Sequence, residues 1–137
     1  LQAGVRHITI ANRTVAKAEA LVASHSALAA LQKAELLALS PQAVEGDFDV
    51  IINATASSLA GDAVPVPASV LRPGSLAYDM MYGPAAQGFL DWAQAHGAVA
   101  RDGLGMLVEQ AAEAFAIWRG VRPPSAQVLE ELRRTPH

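Results

Sequence analysis

The pentapeptide DVIIN at residues 49–53 is the clearest strand signal in the chain. Its β-branched residues favour an extended backbone, and apolar side chains on both faces are typical of a buried parallel strand. Asn53 and the small, polar residues that follow it, up to Asp62, predict a loop. We therefore expect this strand to end at a polar edge of a parallel sheet.

Strands and helices alternate on both sides of this pentapeptide. Further strands are predicted over residues 5–11, 35–39, 75–79 and 98–101. Helices are predicted from Thr14 onward with a loosening at residues 24–26, as one turn at 41–44, and over 85–96, 104–118 and 125–134. The helix over 104–118 carries an apolar stripe that comprises Leu107, Val108, Ala111, Phe115 and Trp118. This alternation predicts an α/β fold, a doubly wound parallel sheet with right-handed crossovers and helices on both faces.

The composition excludes several classes of protein. The 137 residues include 52% hydrophobic and 17% charged residues, which excludes disorder and predicts one well-filled domain. The absence of cysteine excludes disulfides and thiolate metal sites, and it fits a reducing, cytoplasmic location. A net charge of −3 without a basic, aromatic stripe makes nucleic acid an unexpected partner, and the apolar runs are too short for a membrane span. The four histidines lack the spacing of metal ligands, so no metal is expected.

Two cations flank the start of the first predicted helix. Thr14 is the candidate N-cap, and Arg13 and Lys17 lie on either side of it. The helix dipole disfavours cations there by about 0.3–1 kcal/mol, and a bound anion reverses that cost. In dinucleotide-binding folds an acid at this strand end binds the ribose of NAD, whereas an arginine accepts the 2′-phosphate of NADP. Because no acid is present here, the pattern favours NADP, although a solvated basic helix start fits it equally well.

Small or polar residues also follow three other predicted strands. They are Asn53-Ala54-Thr55, Asp79-Met80 with Tyr82, and Asp102-Gly103, which opens the helix that carries Gln110. Ligands of parallel sheets bind at the carboxyl ends of the strands, so these residues form a candidate site. Each also has an ordinary structural explanation: an Asx turn at Asn53, a cap at Asp79, and solvent-exposed side chains at Tyr82 and Gln110.

Taken together, these motifs resemble the C-terminal, NADP-binding half of the shikimate dehydrogenases. The matching stretches are residues 12–14 with 17–19, 49–55, 78–82 and 102–112, and the likeness runs from Val5 to about Arg134. The family has a Rossmann-like doubly wound sheet, and it reduces 3-dehydroshikimate to shikimate with NADPH in the pathway to aromatic amino acids. The resemblance therefore implies NADP as the cofactor and shikimate or 3-dehydroshikimate as the small-molecule substrate.

The resemblance also implies roles for particular residues. Those implied to bind the cofactor are Asn12, Arg13, Thr14 and Lys17 at the 2′-phosphate, Asn53, Ala54 and Thr55 beside the ribose and phosphates, and the backbone of Met80 and Gly103 at the nicotinamide carboxamide. Those implied to reach the substrate are Tyr82 and Gln110. Lys17 stands where the family usually has arginine, which keeps the charge and loses the planar fork.

The resemblance further implies that important parts of such an enzyme lie outside residues 1–137. The catalytic lysine and aspartate belong to the family's N-terminal domain, and the glycine-rich phosphate loop follows the first strand of the NADP-binding half. We therefore expect a partial NADP-binding domain that lacks its first strand and glycine-rich loop, has no catalytic residue and is inactive alone. In the doubly wound order, the strands over 5–11 and 49–53 flank the first strand. Either these strands pair directly, or upstream residues or a second copy of the chain pair with them.

Two alternative functions follow from the same residues. One is a quinate/shikimate dehydrogenase that prefers NAD, which Arg13 and Lys17 argue against. The other is a non-catalytic binding or regulatory module that uses the same fold.

Overall fold

The computed structural model describes residues 1–55 and 64–135, so the predicted loop lies outside the described residues from position 56 onward. The chain divides into two compact units, Leu1–Asp47 with Pro65–Val70, and Phe48–Val64 with Leu71–His137. In chain order the elements are β1 (His7–Ala11), α1 (Val15–Gln32), β2 (Glu35–Leu39), β3 (Val50–Asn53), β4 (Leu76–Asp79), α2 (Pro84–Ala95), β5 (Val99–Arg101), α3 (Leu104–Arg119) and α4 (Ser125–Arg134). Short 3-10 turns lie at Pro41–Ala43 and Ala68–Val70.

The first unit contains a two-stranded parallel sheet whose strands are joined by α1. β1 pairs with β2 in the register His7 to Glu35 through Ala11 to Leu39. The small side chains of Ala18 and Ala29 are buried, which lets α1 lie close to the rest of its unit. The predicted loosening at residues 24–26 is wrong, because α1 runs through it unbroken. The Ser24 and Ser26 hydroxyls donate to carbonyls of the preceding turn, at 2.9 Å each, and so do not interrupt the helix.

The second unit contains a three-stranded parallel sheet in the order β3-β4-β5. The middle strand, β4, is the most deeply buried, with Ala77 and Asp79 fully shielded from solvent. Helix α2 contributes buried Ala86, Phe89 and Ala93 to the core of this unit. The predicted parallel α/β class is confirmed within each sheet, and residue Asn53 of β3 lies directly opposite Asp79 of β4.

Two predicted apolar surfaces are not buried. On β3, Val50 and Ile52 are 49% and 61% exposed, because alternate residues share a face and only the other face of this edge strand is covered. On α3, the buried side chains are Leu104, Val108 and Ala112. The remaining members of the predicted stripe, Leu107, Ala111, Phe115 and Trp118, are exposed. Periodicity thus located the helix but not the side of it that packs.

Among the described residues, β1 has one ladder partner, β2, and β3 has one, β4. Pairing of their other edges with each other, with upstream residues or with a second copy of the chain stays a prediction. Within the described ranges, no helix is both long enough and apolar enough to cross a membrane.

Candidate functional site

In the first unit, four of the predicted residues lie where β1 passes into α1. The Asn12 backbone N–H donates to the Leu39 carbonyl at 3.3 Å, which carries the β1–β2 pairing one residue past the strand. The Asn12 side-chain oxygen then accepts the Thr14 N–H at 2.9 Å, an Asx turn that redirects the chain. The Lys17 N–H donates to the Thr14 carbonyl at 3.0 Å and closes the first helical turn. We refer to residues 12–17 as the β1–α1 turn.

The β1–α1 turn is electropositive. Arg13, Thr14 and Lys17 are exposed, and the first turn of α1 contains no acidic residue. Thr14 occupies the N-cap position as predicted, but its hydroxyl makes no capping hydrogen bond. A helix N-terminus favours an anion, and arginine, lysine and a hydroxyl are common donors to phosphate. The arrangement is therefore suited to a phosphate group held at the surface of this unit.

In the second unit, the ends of β3 and β4 are joined by a pair of side chains. The Asn53 amide nitrogen donates to Asp79 Oδ2 at 3.3 Å. The Asn53 amide oxygen accepts both the backbone N–H and the hydroxyl of Thr55, at 3.1 and 2.7 Å. Asn53 therefore uses its whole side chain to order the start of the following loop. Ala54 and Thr55 are exposed beside it.

Met80 and Gly103 approach each other closely in the second unit. A Cβ built on Gly103 would lie 2.1 Å from the Met80 carbonyl oxygen, which only glycine avoids. The Gly103 N–H donates to the Met81 carbonyl at 2.8 Å, and its carbonyl accepts from Leu107 N–H at 3.0 Å. The backbone N–H and carbonyl of Gly103 are therefore both bonded within the protein, and its missing side chain is what permits the close approach to Met80. Within the described residues, the Met80 carbonyl accepts no hydrogen bond.

Asp79 is a buried acid at the centre of this group. Its side chain is fully shielded from solvent, and Oδ1 accepts the Met81 N–H at 2.9 Å. Burial raises the pKa of Asp79 above its usual range, and Asp102 adds to that rise, whereas the hydrogen bonds from Met81 and Asn53 oppose it. Asp102 itself is paired with Arg133 of α4 at 3.0 Å and accepts the Leu104 N–H at 3.3 Å.

The two predicted substrate residues are exposed and unengaged. Tyr82 lies in the turn between β4 and α2, and Gln110 lies on the exposed side of α3. Neither side chain makes a hydrogen bond within residues 1–55 and 64–135, and no hydrogen bond joins the two residues. Across the same ranges, no three histidine or acidic side chains gather in the manner of a metal site.

The buried connection from Asp79 to Asn53 was not predicted from the sequence. Asp79 was predicted as a cap, and Asn53 as an Asx turn or a cofactor contact, because each was considered at its own strand end. The strand register could have predicted this contact, since both residues end strands that lie side by side in the parallel sheet. The pairing of Asp102 with Arg133 had no local signal, because 31 residues separate them in sequence.

Comparison with known proteins identifies relatives over nearly the whole chain. A family model described as the shikimate 5'-dehydrogenase C-terminal domain matches residues 103–133. The shikimate dehydrogenase (NADP(+)) of Verminephrobacter eiseniae is 78% identical over 133 residues, 97% of this chain and 46% of that protein. The enzyme of the same name from Acidovorax ebreus is 80% identical over 128 residues, 93% of this chain and 45% of that protein. The chain thus spans about half the length of the curated relatives it matches.

A solved structure shows the same fold. Shikimate 5-dehydrogenase from Thermus thermophilus, in complex with NADP(H) and shikimate, matches with a TM-score of 0.66 and 27% identity. The match covers 97% of this chain and 47% of the Thermus chain.

Proposed function

Because the chain belongs to the shikimate dehydrogenase family, we propose that it forms the NADP-binding part of an enzyme that interconverts shikimate and 3-dehydroshikimate. The observation that carries this proposal is the 78% identity to the Verminephrobacter enzyme. That match leaves at most four residues of the chain outside it, so every candidate residue from Asn12 to Gln110 lies within the matched stretch. The reaction belongs to the complete enzyme, and residues 1–137 are proposed as its partial cofactor-binding domain.

The β1–α1 turn is proposed to select NADP over NAD. Arg13 offers a planar pair of donors to the 2′-phosphate, and the helix N-terminus adds a favourable field. Lys17 supplies a second positive charge as a single point, so its contact tolerates more variation in the position of the phosphate. The Asn12 side chain is occupied by the Thr14 N–H, so Asn12 shapes the turn. The Thr14 hydroxyl makes no capping hydrogen bond to α1, and we propose that it donates to the ligand.

In the second unit, we propose cofactor contacts at the ends of β3 and β4 and at the start of α3. Thr55 and Ala54 lie along the exposed edge that follows β3, where a small side chain lets a ribose or phosphate come near the backbone. The Met80 carbonyl is proposed to accept a hydrogen bond from the nicotinamide carboxamide, and Gly103, which lies against that carbonyl, is proposed to border the same position. When bound, NADPH supplies the hydride for the reduction of the ketone.

Tyr82 and Gln110 are proposed to contact the substrate. Both are exposed and without internal partners among the described residues, so their polar groups are free to donate to a hydroxylated acid. The proton-transfer residues are proposed to lie in the other half of the enzyme, in keeping with the family resemblance. A cytoplasmic location is proposed on the absence of cysteine and on the family's place in aromatic amino acid synthesis.

A hybrid enzyme tests this proposal. In it, the present chain replaces the matching stretch of the Verminephrobacter enzyme, and the rest of that protein is unchanged. Initial rates are measured with shikimate or quinate, each with NADP+ or NAD+. We expect the highest kcat/KM with shikimate and NADP+, close to that of the parent enzyme. A folded hybrid that is inactive, or that prefers NAD+ or quinate, would contradict the proposal.

A further inference from the structure

We propose that Asp79 is a positioning residue, which acts with Asn53 to hold the Met80 carbonyl where the nicotinamide end of the cofactor binds. The inference rests on the proposed function and adds a residue to it, since the family resemblance assigns no role to Asp79. It is based on the juxtaposition of four residues at the ends of β3 and β4 and the start of α3, namely Asn53, Asp79, Met80 and Gly103.

The Met80 peptide is held from both sides by this pair. Its N–H donates to the Asn53 backbone carbonyl at 3.0 Å. The next N–H, that of Met81, donates to Asp79 Oδ1 at 2.9 Å. Asp79 thus spans the peptide unit that carries the Met80 carbonyl, while Gly103 limits its movement on the other side. With the residues before and after it fixed, the carbonyl has little freedom to rotate.

The hydrogen-bond donors and acceptors of Asn53 and Asp79 complement each other. Both carboxylate oxygens of Asp79 accept, one from Met81 and one from Asn53. Asn53 has to present its amino group to Asp79, because its oxygen is already occupied by two donors from Thr55. An acceptor-only side chain is therefore required at position 79, and an amide there would place two amino groups against each other.

The burial of Asp79 argues for a role beyond closing a turn. An aspartate that only shapes a turn works equally well at the surface, where its charge costs nothing. This carboxyl is instead fully shielded from solvent, and Asp102 lies close enough to disfavour its charge. The arrangement gives up stability to keep an acceptor at a fixed place beside the proposed nicotinamide position. Functional sites commonly carry such a cost.

An exchange of the two side chains tests this inference in the hybrid enzyme. The Asp79→Asn variant leaves the Asn53 amino group without an acceptor, and we expect kcat/KM for NADP+ to fall at least tenfold. In the double variant Asn53→Asp with Asp79→Asn, each donor again meets an acceptor. The carboxylate introduced at position 53 accepts from Thr55 and from the amide introduced at position 79. We expect the kcat/KM of the double variant to exceed that of Asp79→Asn by at least about threefold.

Adenosine 2′,5′-bisphosphate separates positioning from general damage to the fold. This ligand carries the 2′-phosphate but no nicotinamide, so its affinity is expected to stay unchanged in Asp79→Asn while that of NADP+ falls. Asp91→Asn is the matched control, because Asp91 is exposed on α2 and, among the described residues, accepts a hydrogen bond only from Gln87, at 2.7 Å. It removes the same charge and is expected to leave both affinities unaltered.

The possible outcomes separate the two proposals. If the unchanged hybrid binds NADP+ and oxidises shikimate, but Asp79→Asn is unaffected or loses both ligands equally, the inference about Asp79 is wrong and the proposed function stands. A double variant that is no better than Asp79→Asn also overturns the inference. If Asp79→Asn alone fails to fold, the double variant decides, because only a folded and active exchange supports positioning. A hybrid that binds no NADP+ at all contradicts the proposed function itself.

Discussion

Replacement of Gly103 by alanine is expected to destabilise the second unit strongly for reasons of space alone. The backbone angles of Gly103, φ −83° and ψ 2°, are open to any residue, so alanine meets no conformational penalty there. Its Cβ, however, would lie 2.1 Å from the Met80 oxygen, 2.6 Å from the Met80 carbonyl carbon and 3.2 Å from the Asp79 oxygen. Ordinary contact begins at 3.4 Å, and all three atoms are backbone, so no side-chain rotation relieves the overlap.

The expected cost is about 3 kcal/mol, the upper end for an overpacked site, because backbone has to move. For a domain of this size, that loss lowers Tm by on the order of 10 °C. Urea unfolding of the chain, followed by Trp92 fluorescence in α2, measures the change. Gly105→Ala, in the first turn of α3, is the matched control, since among the described residues its Cβ would meet only the Leu129 side chain of α4, at 3.8 Å. It is expected to stabilise by about 0.4–1 kcal/mol. If the Gly103→Ala variant unfolds at the same urea concentration as the Gly105→Ala variant, the steric argument is refuted.

Two further predictions concern the substrate side and the buried acid. In the hybrid enzyme, Gln110→Ala is expected to lower kcat/KM for shikimate while the Kd of NADP+ stays unchanged. A loss of NADP+ binding instead would show that Gln110 does not contact the substrate. Because burial raises the pKa of Asp79, the folded chain binds more protons than the unfolded chain between the usual value, 3.8, and the raised one. Asp79 therefore stabilises the folded chain less as pH rises through that window, and its contribution levels off above the raised pKa. The free energy of unfolding of wild type minus that of Asp79→Asn should accordingly fall with rising pH, and a flat difference would contradict a raised pKa.

The sequence predicted the elements well where local chemistry decides them. The helices predicted over 85–96 and 104–118 are α2 and α3. Their ends have local causes in the structure, because Pro84 suits the first turn of α2 and Gly120 ends α3 in the left-handed conformation, at φ 72°. The start of α1 was likewise predicted, with Thr14 at the N-cap position, and the Asx turn that Asn12 makes before it is a local interaction. The candidate site was predicted from the ends of the strands together with the family resemblance, which implied the roles of its residues.

The features that the sequence did not predict depend on packing between distant segments. Trp118 has the spacing of a core residue on α3 yet is 78% exposed, because periodicity defines a face without saying what covers it. The burial of Asp79 depends on its register with Asn53, and the requirement for Gly103 depends on how near the Met80 carbonyl lies. Neither the contact of Asp79 with Asn53 nor that of Gly103 with Met80 can be predicted from a single motif, because each joins residues from different segments. These are also the features that the proposed nicotinamide site depends on.

The cofactor preference of Arg13→Ala tests most directly the claim that this chain binds NADP through the β1–α1 turn. The measurement is kcat/KM of the hybrid enzyme with NADP+ and with NAD+, before and after the substitution. Loss of a charged hydrogen bond to the 2′-phosphate is expected to cost about 1.5–3 kcal/mol, which lowers kcat/KM for NADP+ by about 10- to 150-fold. The value for NAD+, which has no 2′-phosphate, is expected to change by less than about twofold. Equal losses with both cofactors would contradict the account.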